Sequence, residues 1–437
     1  MMHLTRRAAL ALFAGLPALS TVLSAQEAPP PVLRDWYRLI LELVRHTATY
    51  SPPVASRAFA YVGVTAFEAV AGGDPALNSL AGQLNGLTPL PARDPALAYD
   101  EALVLNAALE AAVLSFFGNT GPSGQQAMTR MAERKRQRLS EGKDTGLVAR
   151  SVTQGKAVSD HILAWSQSDG GAVVENMGFP YEYTPQKGPQ YWVPTSTIRQ
   201  QQAPLLPNWG NNRTFAMPNG ATCALTAPPE YSEDPGSDFY AEAMEVYETV
   251  KSVTPEQKAI ARFWSDDPML SPTPPGHWVS IACQILEAQG QPESRCAEVL
   301  ALLGIAVADG FIGCWQAKYE YDLVRPVTYI KRVIDPNWEP LLITPPFPEY
   351  PSGHSTQSGA AAEILTAVFG PGFAFSDETH VDDGIPARDF PDFWAAADEA
   401  AMSRLYGGIH YRAAIERGLE QGRCIGAYTA ALKTRVA

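Results

Sequence analysis

The chain has 437 residues, of which 46% are hydrophobic and 18% are charged, and its formal net charge is −13. This composition is typical of a soluble globular protein that buries a full core, in one large domain or two medium ones. The acidic balance argues against a general affinity for nucleic acid or anionic lipid, so any basic site has to be a local feature.

The N-terminus has the pattern of an export signal. Arg6 and Arg7 precede an apolar run over residues 8–22, which ends in small residues. A charged start, an apolar middle and a small-residue end are typical of a cleaved signal, and the paired arginines indicate the twin-arginine route. A membrane anchor is the alternative, but the run is short and is interrupted by Gly15 and Pro17.

We therefore expect residues 1–25 to be removed and the mature protein to be periplasmic or secreted. Loss of two arginines would bring the net charge from −13 to about −15. No other run is expected to reach the roughly 20 apolar residues of a spanning helix, so no stable membrane anchor is predicted.

The five cysteines are scattered and form no CxxC pair. In an exported protein Cys283 could pair with Cys296, or no pair could form. The odd number leaves at least one thiol unpaired or in an intermolecular bond. This pattern gives no support for a metal–thiolate site.

Hydrophobic periodicity predicts an all-α protein, because no stretch shows convincing strand alternation. The predicted helices cover residues 36–50, 54–70, 99–117, 123–142, 145–168, 237–252, 255–264, 278–289, 294–323, 355–369, 390–405 and 410–432. Residues 30–437 are read as a single domain, with an N-terminal helical half over 33–168 and a C-terminal half over 237–437 that carries the candidate site.

Residues 169–236 separate the two halves and have a different composition. Glycine, proline, asparagine, threonine and aromatic residues dominate this stretch. A long irregular segment in a compact protein is usually functional or a linker, and the aromatic content argues against a flexible linker. We expect an ordered loop that covers part of the site.

Two basic residues lie at the end of a long predicted helix. Lys318 and Arg325 are seven residues apart, so they are expected to share one helical face, and Pro326 ends the helix beside the second charge. Apolar and aromatic neighbours indicate that this helix is largely buried, and a buried cation needs an anion partner. An ordinary ion pair with Glu320 or Asp322 is the alternative to an anion site.

The stretch Pro351-Ser352-Gly353-His354 directly precedes the predicted helix over residues 355–369. The start of a helix presents free backbone N–H groups and a positive dipole end, which suits an anion. Gly353 allows a close approach to the backbone, and Ser352 can donate a hydroxyl. Capping of the helix would explain the serines equally well, but it would not explain His354.

A third basic group lies near the C-terminus, where Arg404 and His410 are six residues apart. On one continuous helix this spacing would place them on nearly opposite sides. Gly407 and Gly408 break the helix between them, so both side chains can turn to one point. Considered alone, a buried histidine bonded to a carbonyl is the simpler explanation of His410.

The three groups follow one another as Lys-x6-Arg-Pro, Pro-Ser-Gly-His and Ser-Arg-x5-His, within residues 318–410. In this order and composition they resemble the signature shared by the vanadium-dependent haloperoxidases and the type 2 phosphatidic-acid phosphatases. Similarity to bacterial haloperoxidase-like members extends over residues 263–267 and 273–278, and more loosely over residues 51–54 and 192–195.

This resemblance implies a fold of two four-helix bundles, in agreement with the all-α prediction. It also implies that Lys318, Arg325 and Arg404 neutralise the oxygens of a tetrahedral oxyanion. Fixed cations can hold such an ion without carboxylate ligands. The hydroxyl of Ser352 and the amide of Gly353 would donate hydrogen bonds to the same oxygens.

The remaining roles fall on three residues. The resemblance implies that His410 forms the single covalent link to the central atom and that His354 is the acid–base group at the apical oxygen. Asp267 corresponds to a family acid that pairs with the basic or imidazole groups of the site, although its neighbour Asp266 makes this assignment ambiguous by one position. A neutral imidazole can act as a ligand or as a nucleophile.

The same cage suits either vanadate or phosphate. For a haloperoxidase, the resemblance implies one resident vanadate per chain, hydrogen peroxide polarised by Lys318, a halide and a small organic acceptor as substrates, and hypohalous acid as product. For an exported acid phosphatase, the runner-up, His410 would attack phosphorus and His354 would protonate the leaving alcohol.

Three features favour the haloperoxidase. The chain is much longer than simple phosphatases of this superfamily. Trp315 and Phe347 are similar to the aromatic pair beside vanadate in chloroperoxidase-type members, and the positive edges of such rings can accommodate a halide; ordinary core aromatics are the alternative. Finally, many members carry Asp four residues after the last histidine, where this chain has Ala414.

The substitution at Ala414 has a consequence for His410, which would need another acceptor, such as a backbone carbonyl, to orient it. A nucleophilic histidine would depend on the missing carboxylate more than a ligand would.

A zinc site built from His277, His354, His410 and Asp267 is disfavoured, because three nearby cations would repel a divalent metal. The halide, the organic acceptor and the oligomeric state are left open by the sequence.

Overall fold

Apolar residues at helical spacing dominate the chain, and the structure, a computed structural model that describes residues 31–174, 179 and 183–436, is correspondingly helical. The predicted export signal lies outside the described residues. Numbered in chain order, the described α-helices are α1 Val32–Arg45, α2 Pro52–Ala71, α3 Glu101–Phe116, α4 Pro122–Ser140, α5 Thr145–Ser166, α6 Gly171–Val174, α7 Asp238–Lys251, α8 Pro255–Phe263, α9 Thr273–Ala288, α10 Glu293–Tyr321, α11 Pro326–Val333, α12 Gly353–Phe369, α13 Phe393–Tyr406 and α14 Arg412–Ala430.

The long helices pack in two groups of four. Helices α2, α3, α4 and α5 form one group, and α10, α12, α13 and α14 form the other. Helix α10 joins them, because it also packs along α2. A Cβ atom on Gly63 would lie 2.9 Å from the Cα of Ala301, and one on Gly304 would lie 2.9 Å from the Cα of Ala60. Glycine at both positions therefore allows the backbones of α2 and α10 to touch.

Two central helices, α2 and α10, are as apolar as membrane-spanning helices. Helices α2 and α10 have the length and hydropathy of spanning helices, which the sequence was not expected to contain beyond the N-terminal run. Within the most apolar window of each helix, 89% of α2 and 94% of α10 is buried inside the protein. Their composition is thus accounted for by burial against neighbouring helices.

The helical prediction is confirmed in type, but several boundaries are wrong near the site. Helix α10 ends at Tyr321, where Asp322 takes a left-handed conformation with φ of 47°. A short helix, α11, which was not predicted, then begins after Arg325. Lys318 and Arg325 therefore do not share a face of one helix; a turn brings them together.

A small hairpin was also missed. Strands β1, Phe375–Asp377, and β2, Arg388–Phe390, pair antiparallel, with Phe375 opposite Phe390. Each strand has only three residues, too few to show an alternating pattern. The connection between them, together with the end of β1, delivers acidic and imidazole side chains to the interior.

The loop over residues 169–236 is ordered where the structure describes it, and one buried carboxylate anchors it. Asp309, on α10, accepts hydrogen bonds from the backbone amides of Phe215, Ala216 and Met217 at 2.6, 2.8 and 3.0 Å. Burial raises the pKa of Asp309 to about 6, although these amides oppose that rise. Backbone donors that have no regular partner are satisfied in this way.

A disulfide ties the same loop to the last helix. Cys223 is bonded to Cys424, on α14, with 6.0 Å between the Cα atoms. The pairing considered from the sequence, Cys283 with Cys296, is wrong, since both carry free thiols, as does Cys314. A link across 201 residues could not be chosen from spacing alone.

Candidate active site

The three sequence groups converge on one cavity. Gly353, His354, Arg404 and His410 line a cavity of about 1350 Å³. Lys318 lies behind its wall in the last turn of α10, and its ammonium group reaches the carbonyl oxygens of residues 348, 349 and 351 just before α12. The turns between helices, rather than one helical surface, bring these residues together.

Three cations are buried at this point. Lys318, Arg325 and Arg404 are at most 2% exposed. In the described part of the chain their hydrogen bonds go to backbone carbonyls, to a hydroxyl and to His410, and not to a carboxylate. The Nη2 atom of Arg325 is buried with no hydrogen-bond partner in that same part of the chain. Buried positive charges with unused donors point to an anion site.

The expected alternative, ion pairing with Glu320 or Asp322, is not what the structure shows. Asp322 is buried at the end of α10, and its Oδ1 atom has no hydrogen-bond partner among the described residues. Burial raises the pKa of Asp322 to about 7. Its backbone carbonyl accepts from the amide of Trp192, which attaches the loop to the end of α10.

Burial also sets the protonation of the cations. It lowers the pKa of Lys318 to about 7, with Arg325 adding to the effect. Burial lowers the pKa of Arg325 and of Arg404 to about 10 each. The arginines therefore stay charged at neutral pH, whereas Lys318 lies near its midpoint until an anion stabilises its charged form.

His410 lies in the turn between α13 and α14, two residues before the last helix and not at its start as predicted. Gly408 allows this turn, with φ of 76°. The Nδ1 atom of His410 is 2.8 Å from Oε1 of Glu349, and its Nε2 atom is 3.1 Å from Nη1 of Arg325. The Oε1 atom of Glu349 also accepts from the amide of Tyr411, so it is an acceptor toward Nδ1 even when Glu349 is protonated on its other oxygen. The guanidinium donates at Nε2, so the proton is on Nδ1 and Nε2 carries the lone pair.

Burial, followed by the charges of Arg325, Lys318 and Arg404, holds the pKa of His410 well below its usual range. The imidazole is therefore neutral, with its lone pair directed among the cations. This is the protonation state and tautomer that a metal-binding or nucleophilic histidine requires.

Glu349 provides the carboxylate that position 414 lacks. It is fully buried, and its Oε1 atom also accepts from the amide of Tyr411 at 2.9 Å. Burial raises the pKa of Glu349 to about 8, with Arg325 opposing that rise. Another acceptor behind His410 was expected, and it is this acidic side chain rather than the backbone carbonyl given as the example. Ala414 was taken to favour a ligand role over a nucleophilic role for His410. That argument no longer applies, because the acidic side chain is present at another position.

Ser352 and Gly353 begin α12 as the sequence suggested. The hydroxyl oxygen of Ser352 accepts from the amide of Ser355 at 3.3 Å, so this residue caps the helix. Accepting that bond leaves the hydroxyl hydrogen free to donate. A Cβ atom on Gly353 would approach Trp315 no closer than 3.7 Å, so glycine keeps this part of the wall open rather than avoiding a clash.

His354 lies beside an aspartate and also lines the cavity. Its Nε2 atom is 3.8 Å from Oδ2 of Asp266, so Nδ1 is the ring nitrogen that does not face this carboxylate. Burial, together with the charge of Arg404, lowers the pKa of His354 to about 4. At neutral pH its imidazole is a proton acceptor.

The structure places the two neighbouring aspartates differently. Asp266, and not Asp267, lies against the imidazoles of His277, His354 and His380. Asp267 also lines the cavity, and its charge acts on Arg404. The one-residue ambiguity in the sequence is thus resolved for the imidazole contacts in favour of Asp266, which has a left-handed φ of 49°.

The aromatic pair lies at the cation side of the cavity. The ring centroids of Trp315 and Phe347 are 5.0 Å apart, at an interplanar angle of 51°. The Phe347 centroid is 5.1 Å from the Lys318 ammonium group and 5.0 Å from the Arg325 guanidinium carbon. Both rings line the cavity, so they are wall residues and not only core residues.

Three residues of this region were not identified from the sequence motifs, and Asp266 was named only as the alternative to Asp267. Glu349, His380 and Asp377 lie outside the three motifs, and their main partners are distant in sequence. Glu349 had one available signal: it is an acidic residue in an otherwise apolar run directly before Pro351. The other residues are identified only by their contacts in the folded structure.

Comparisons with known proteins agree with this geometry. Residues 298–437 match the family model of the VCPO second helical-bundle domain. The solved structure described as the first bacterial vanadium-dependent iodoperoxidase is 38% identical, covers 93% of this chain and 97% of its own chain, and superposes with a TM-score of 0.85. This chain belongs to the vanadium-dependent haloperoxidase family.

More distant members support the helical fold. A holo-type bacterial vanadium-dependent chloroperoxidase is 16% identical, with a TM-score of 0.67 over 89% of this chain and 93% of that one. The vanadium chloroperoxidase of Curvularia inaequalis is 23% identical over 220 residues, which span only 36% of each protein. The helical-bundle fold of the haloperoxidase family, predicted from the sequence, is confirmed.

Proposed function

We propose that this protein is a vanadate-dependent haloperoxidase that oxidises a halide with hydrogen peroxide to hypohalous acid. The observation that carries the proposal is His410, a neutral imidazole whose Nε2 lone pair lies among three buried cations. Membership of the haloperoxidase family over nearly the whole chain favours vanadate over phosphate as the anion.

The residues present fit one vanadate ion. Lys318, Arg325 and Arg404 supply positive charge, and the unpartnered Nη2 atom of Arg325 is a donor without another use among the described residues. The hydroxyl of Ser352 and the amide of Gly353 are further donors at the start of α12. The Nε2 atom of His410 is the ligand, and Glu349 fixes its tautomer.

When bound, vanadate supplies a Lewis acid that activates hydrogen peroxide toward attack by halide. The side chains hold and move protons around it. His354, with a pKa of about 4, accepts a proton at Nδ1 from the entering peroxide. The three N–H groups of Lys318 donate to backbone carbonyls, so in its charged form Lys318 would act on the anion through its positive charge, which the anion would stabilise. The net reaction consumes one peroxide, one halide and one proton, and it releases hypohalous acid and water.

The halide is expected to enter past Trp315 and Phe347. Their rings pack beside Lys318 and Arg325, so positive ring edges and positive side chains occur together. The relative described as an iodoperoxidase makes iodide the first halide to test, followed by bromide and chloride. A small organic acceptor has room in the cavity of about 1350 Å³.

The runner-up, an acid phosphatase with a phospho-histidine intermediate, keeps one supporting observation. Glu349 behind His410 would orient a nucleophile as well as it orients a ligand.

We further propose export to the periplasm or the medium through residues 1–25, on the basis of the paired arginines and the apolar run. N-terminal sequencing of protein recovered outside the cytoplasm would test the cleavage.

One assay separates the two activities. Apoprotein loaded with orthovanadate should halogenate a phenol dye in the presence of peroxide and iodide or bromide, and apoprotein alone should not. The same preparations are tested for hydrolysis of a phosphate ester. Absence of turnover with every halide, together with ester hydrolysis by untreated protein, would replace the first proposal by the second.

A second variant tests the halide region. Phe347→His replaces an apolar ring beside Lys318 with a polar one, so we expect the ratio of kcat/KM values for iodide and bromide to change severalfold. Steady-state kinetics with each halide measure this ratio, and Val193→Ala, an exposed site outside the cavity lining, serves as control. Unchanged kinetics with all halides would remove Phe347 from the halide path.

A further inference from the structure

A second buried cluster lies next to His354 and does not include His410. Asp266 follows α8, His277 is in the first turns of α9, and His380 lies in the connection between β1 and β2. All three side chains are buried. They come from three separate elements, so their convergence is a property of the fold and not of local sequence.

The ligand atoms of these residues lie close together. One oxygen or nitrogen from each lies within 4.8 Å of the others. The Oδ1 atom of Asp266 is 2.9 Å from Nδ1 of His277 and 3.4 Å from Nε2 of His380. Zinc binds oxygen and nitrogen at about 2.0–2.2 Å, which puts neighbouring ligand atoms roughly 3 Å apart. The observed separations match that spacing.

Each histidine is also supported from behind by a carboxylate. The Nε2 atom of His277 is 2.8 Å from Oδ2 of Asp377. The Nδ1 atom of His380 is 3.2 Å from Oδ2 of Asp383. A histidine that binds a metal usually donates its other ring N–H to a carboxylate or carbonyl, which fixes the ring and increases its basicity. Both histidines have this arrangement.

Two nitrogens at the cluster have no hydrogen bond. The Nε2 atoms of His380 and of His354 are buried without a hydrogen bond of good geometry in the described part of the chain. Both lie near the same carboxylate, at 3.4 Å from Oδ1 and 3.8 Å from Oδ2 of Asp266. Unsatisfied buried nitrogens are rare and call for an explanation. Coordination of one cation would use Nε2 of His380, and Nε2 of His354 once the proton of that ring is on Nδ1.

We propose that Asp266, His277 and His380 form a binding site for one divalent transition-metal ion, and that His354, which lies outside this group of three, moves toward it to become the fourth ligand. Three imidazoles and one carboxylate suit Zn²⁺, which accepts mixed nitrogen and oxygen ligands in a tetrahedral arrangement. Binding forms a bond from the metal to Nδ1 of His277 and releases the proton held there to solvent.

Nearby cations would repel a divalent metal less strongly at this site than at a zinc site that contained His410. The hydrogen bonds of Lys318 and Arg325 go to backbone carbonyls and to His410, and not to this cluster. Arg404 is the cation whose charge acts on Asp266. Asp383 is already paired with Arg45, so it adds little charge to the cluster. The carboxylates of Asp266 and Asp377 are therefore the groups that attract a cation here.

Sharing of His354 connects this site to the proposed reaction. A metal bound to Nε2 of His354 would fix the orientation of the imidazole ring and lower its basicity. On the proposed function, Zn²⁺ would therefore inhibit halide oxidation. This consequence rests on that function, whereas metal binding itself does not.

The test uses the untagged full chain, freed of metals by dialysis against a chelator. Isothermal titration with Zn²⁺, and elemental analysis after gel filtration, should give one ion per chain. Co²⁺ in place of Zn²⁺ should give the visible absorption of a tetrahedral nitrogen–oxygen site. Asp383→Asn, which keeps side-chain size, should weaken Zn²⁺ binding by about 10–100-fold, and His380→Ala by more.

Matched variants identify the ligands. His46→Ala removes an exposed histidine and should leave the affinity unchanged. His410→Ala should also leave Zn²⁺ binding unchanged while it removes vanadate, which separates failure of this site from failure of the proposed function. His354→Ala should weaken Zn²⁺ binding about tenfold or more; an unchanged affinity would remove His354 from the ligand set.

Two outcomes would overturn the site. One is the absence of stoichiometric Zn²⁺ and Co²⁺ binding by the wild-type chain. The other is an equal loss of affinity in His46→Ala and in His380→Ala, which would show an adventitious ion only. Thermal melts of each variant check that a loss of binding does not reflect unfolding.

Discussion

The two sides of His354 are opposite in charge and in construction. On one side, Lys318 and Arg325 are buried with backbone carbonyls as their main partners. On the other side, Asp266 and Asp377 enclose a single imidazole, His277. On the first side no carboxylate accepts a hydrogen bond from these cations among the described residues, although Glu349 is buried behind His410. The second side has negative charge that imidazoles must balance.

The electrostatics of the two sides follow from these partners. Burial opposes charge in both places. On the cation side it dominates, and the pKa of Lys318 falls to about 7. On the acidic side the two carboxylates overcome burial and raise the pKa of His277 to about 10. Desolvation is therefore compensated only where a partner of opposite charge is fixed by the fold. On the basic side Glu349 offsets burial only in part, so this side is the one suited to receive an anion.

The largest expected effect tests the basic side. His410→Ala removes the only proposed covalent ligand, so vanadate affinity should fall by more than about 100-fold, beyond the loss expected for a supporting residue. Equilibrium dialysis with elemental analysis measures the affinity. Asp383→Asn, on the acidic side, serves as control. A His410→Ala variant that retains vanadate as tightly as the wild type would refute the ligand assignment.

The acidic side should respond in stability rather than in vanadate binding. Asp266→Asn removes one of the two charges that hold the His277 imidazolium, and we expect a loss of about 3 kcal/mol in the free energy of unfolding. Denaturant titration measures this loss, with Asp382→Asn on the exposed face of the same connection as control. The change in the free energy of vanadate binding should be smaller than the loss in the free energy of unfolding. A large loss of vanadate binding with unchanged stability would show that the two sides are not separate.

A third variant tests the support of the ligand. Glu349→Ala removes the acceptor at Nδ1 of His410, so vanadate affinity should fall by about 10–100-fold. Glu349→Gln keeps an acceptor oxygen and should restore much of that loss. Dialysis of both variants, compared at equal folded fraction, measures the difference. Equal losses in Ala and Gln would mean that charge, and not orientation of the imidazole, is what Glu349 contributes.

The smallest effect is a pH dependence. The charged form of Lys318 favours the anion, and its pKa is about 7 without one. A bound anion raises that pKa, so this contribution is complete below pH 7 and is lost as pH rises above 7, by up to tenfold per pH unit. Lys318→Met removes the contribution and shows the slope due to vanadate itself. Identical pH slopes in the two proteins would remove Lys318 from the linkage.

The comparison also shows how far sequence reasoning extends. The basic side was found because its residues lie in three compact motifs in a fixed order. Their convergence was predicted, but the geometry was wrong in part, since Asp322 ends α10 before Arg325. Left-handed ends of this kind at a non-glycine residue have little sequence signal.

The acidic side was largely invisible for a different reason. Its members come from the end of α8, from α9 and from the hairpin, and His277 is separated from Asp377 by 100 residues. The carboxylate behind His410 was missed for the same reason, because Glu349 is 61 residues away. Helical periodicity predicts which faces are buried, but it does not predict which distant polar groups meet there.

A crystal structure of the full chain loaded with orthovanadate tests the central claim most directly. Anomalous scattering would locate vanadium independently of the protein model. The result expected is one vanadium bonded to Nε2 of His410, with Nδ1 still donating to Glu349 and with Lys318, Arg325 and Arg404 around the oxygens. Vanadium bound to another residue, or to Nδ1 of His410 with Glu349 displaced, would contradict the account.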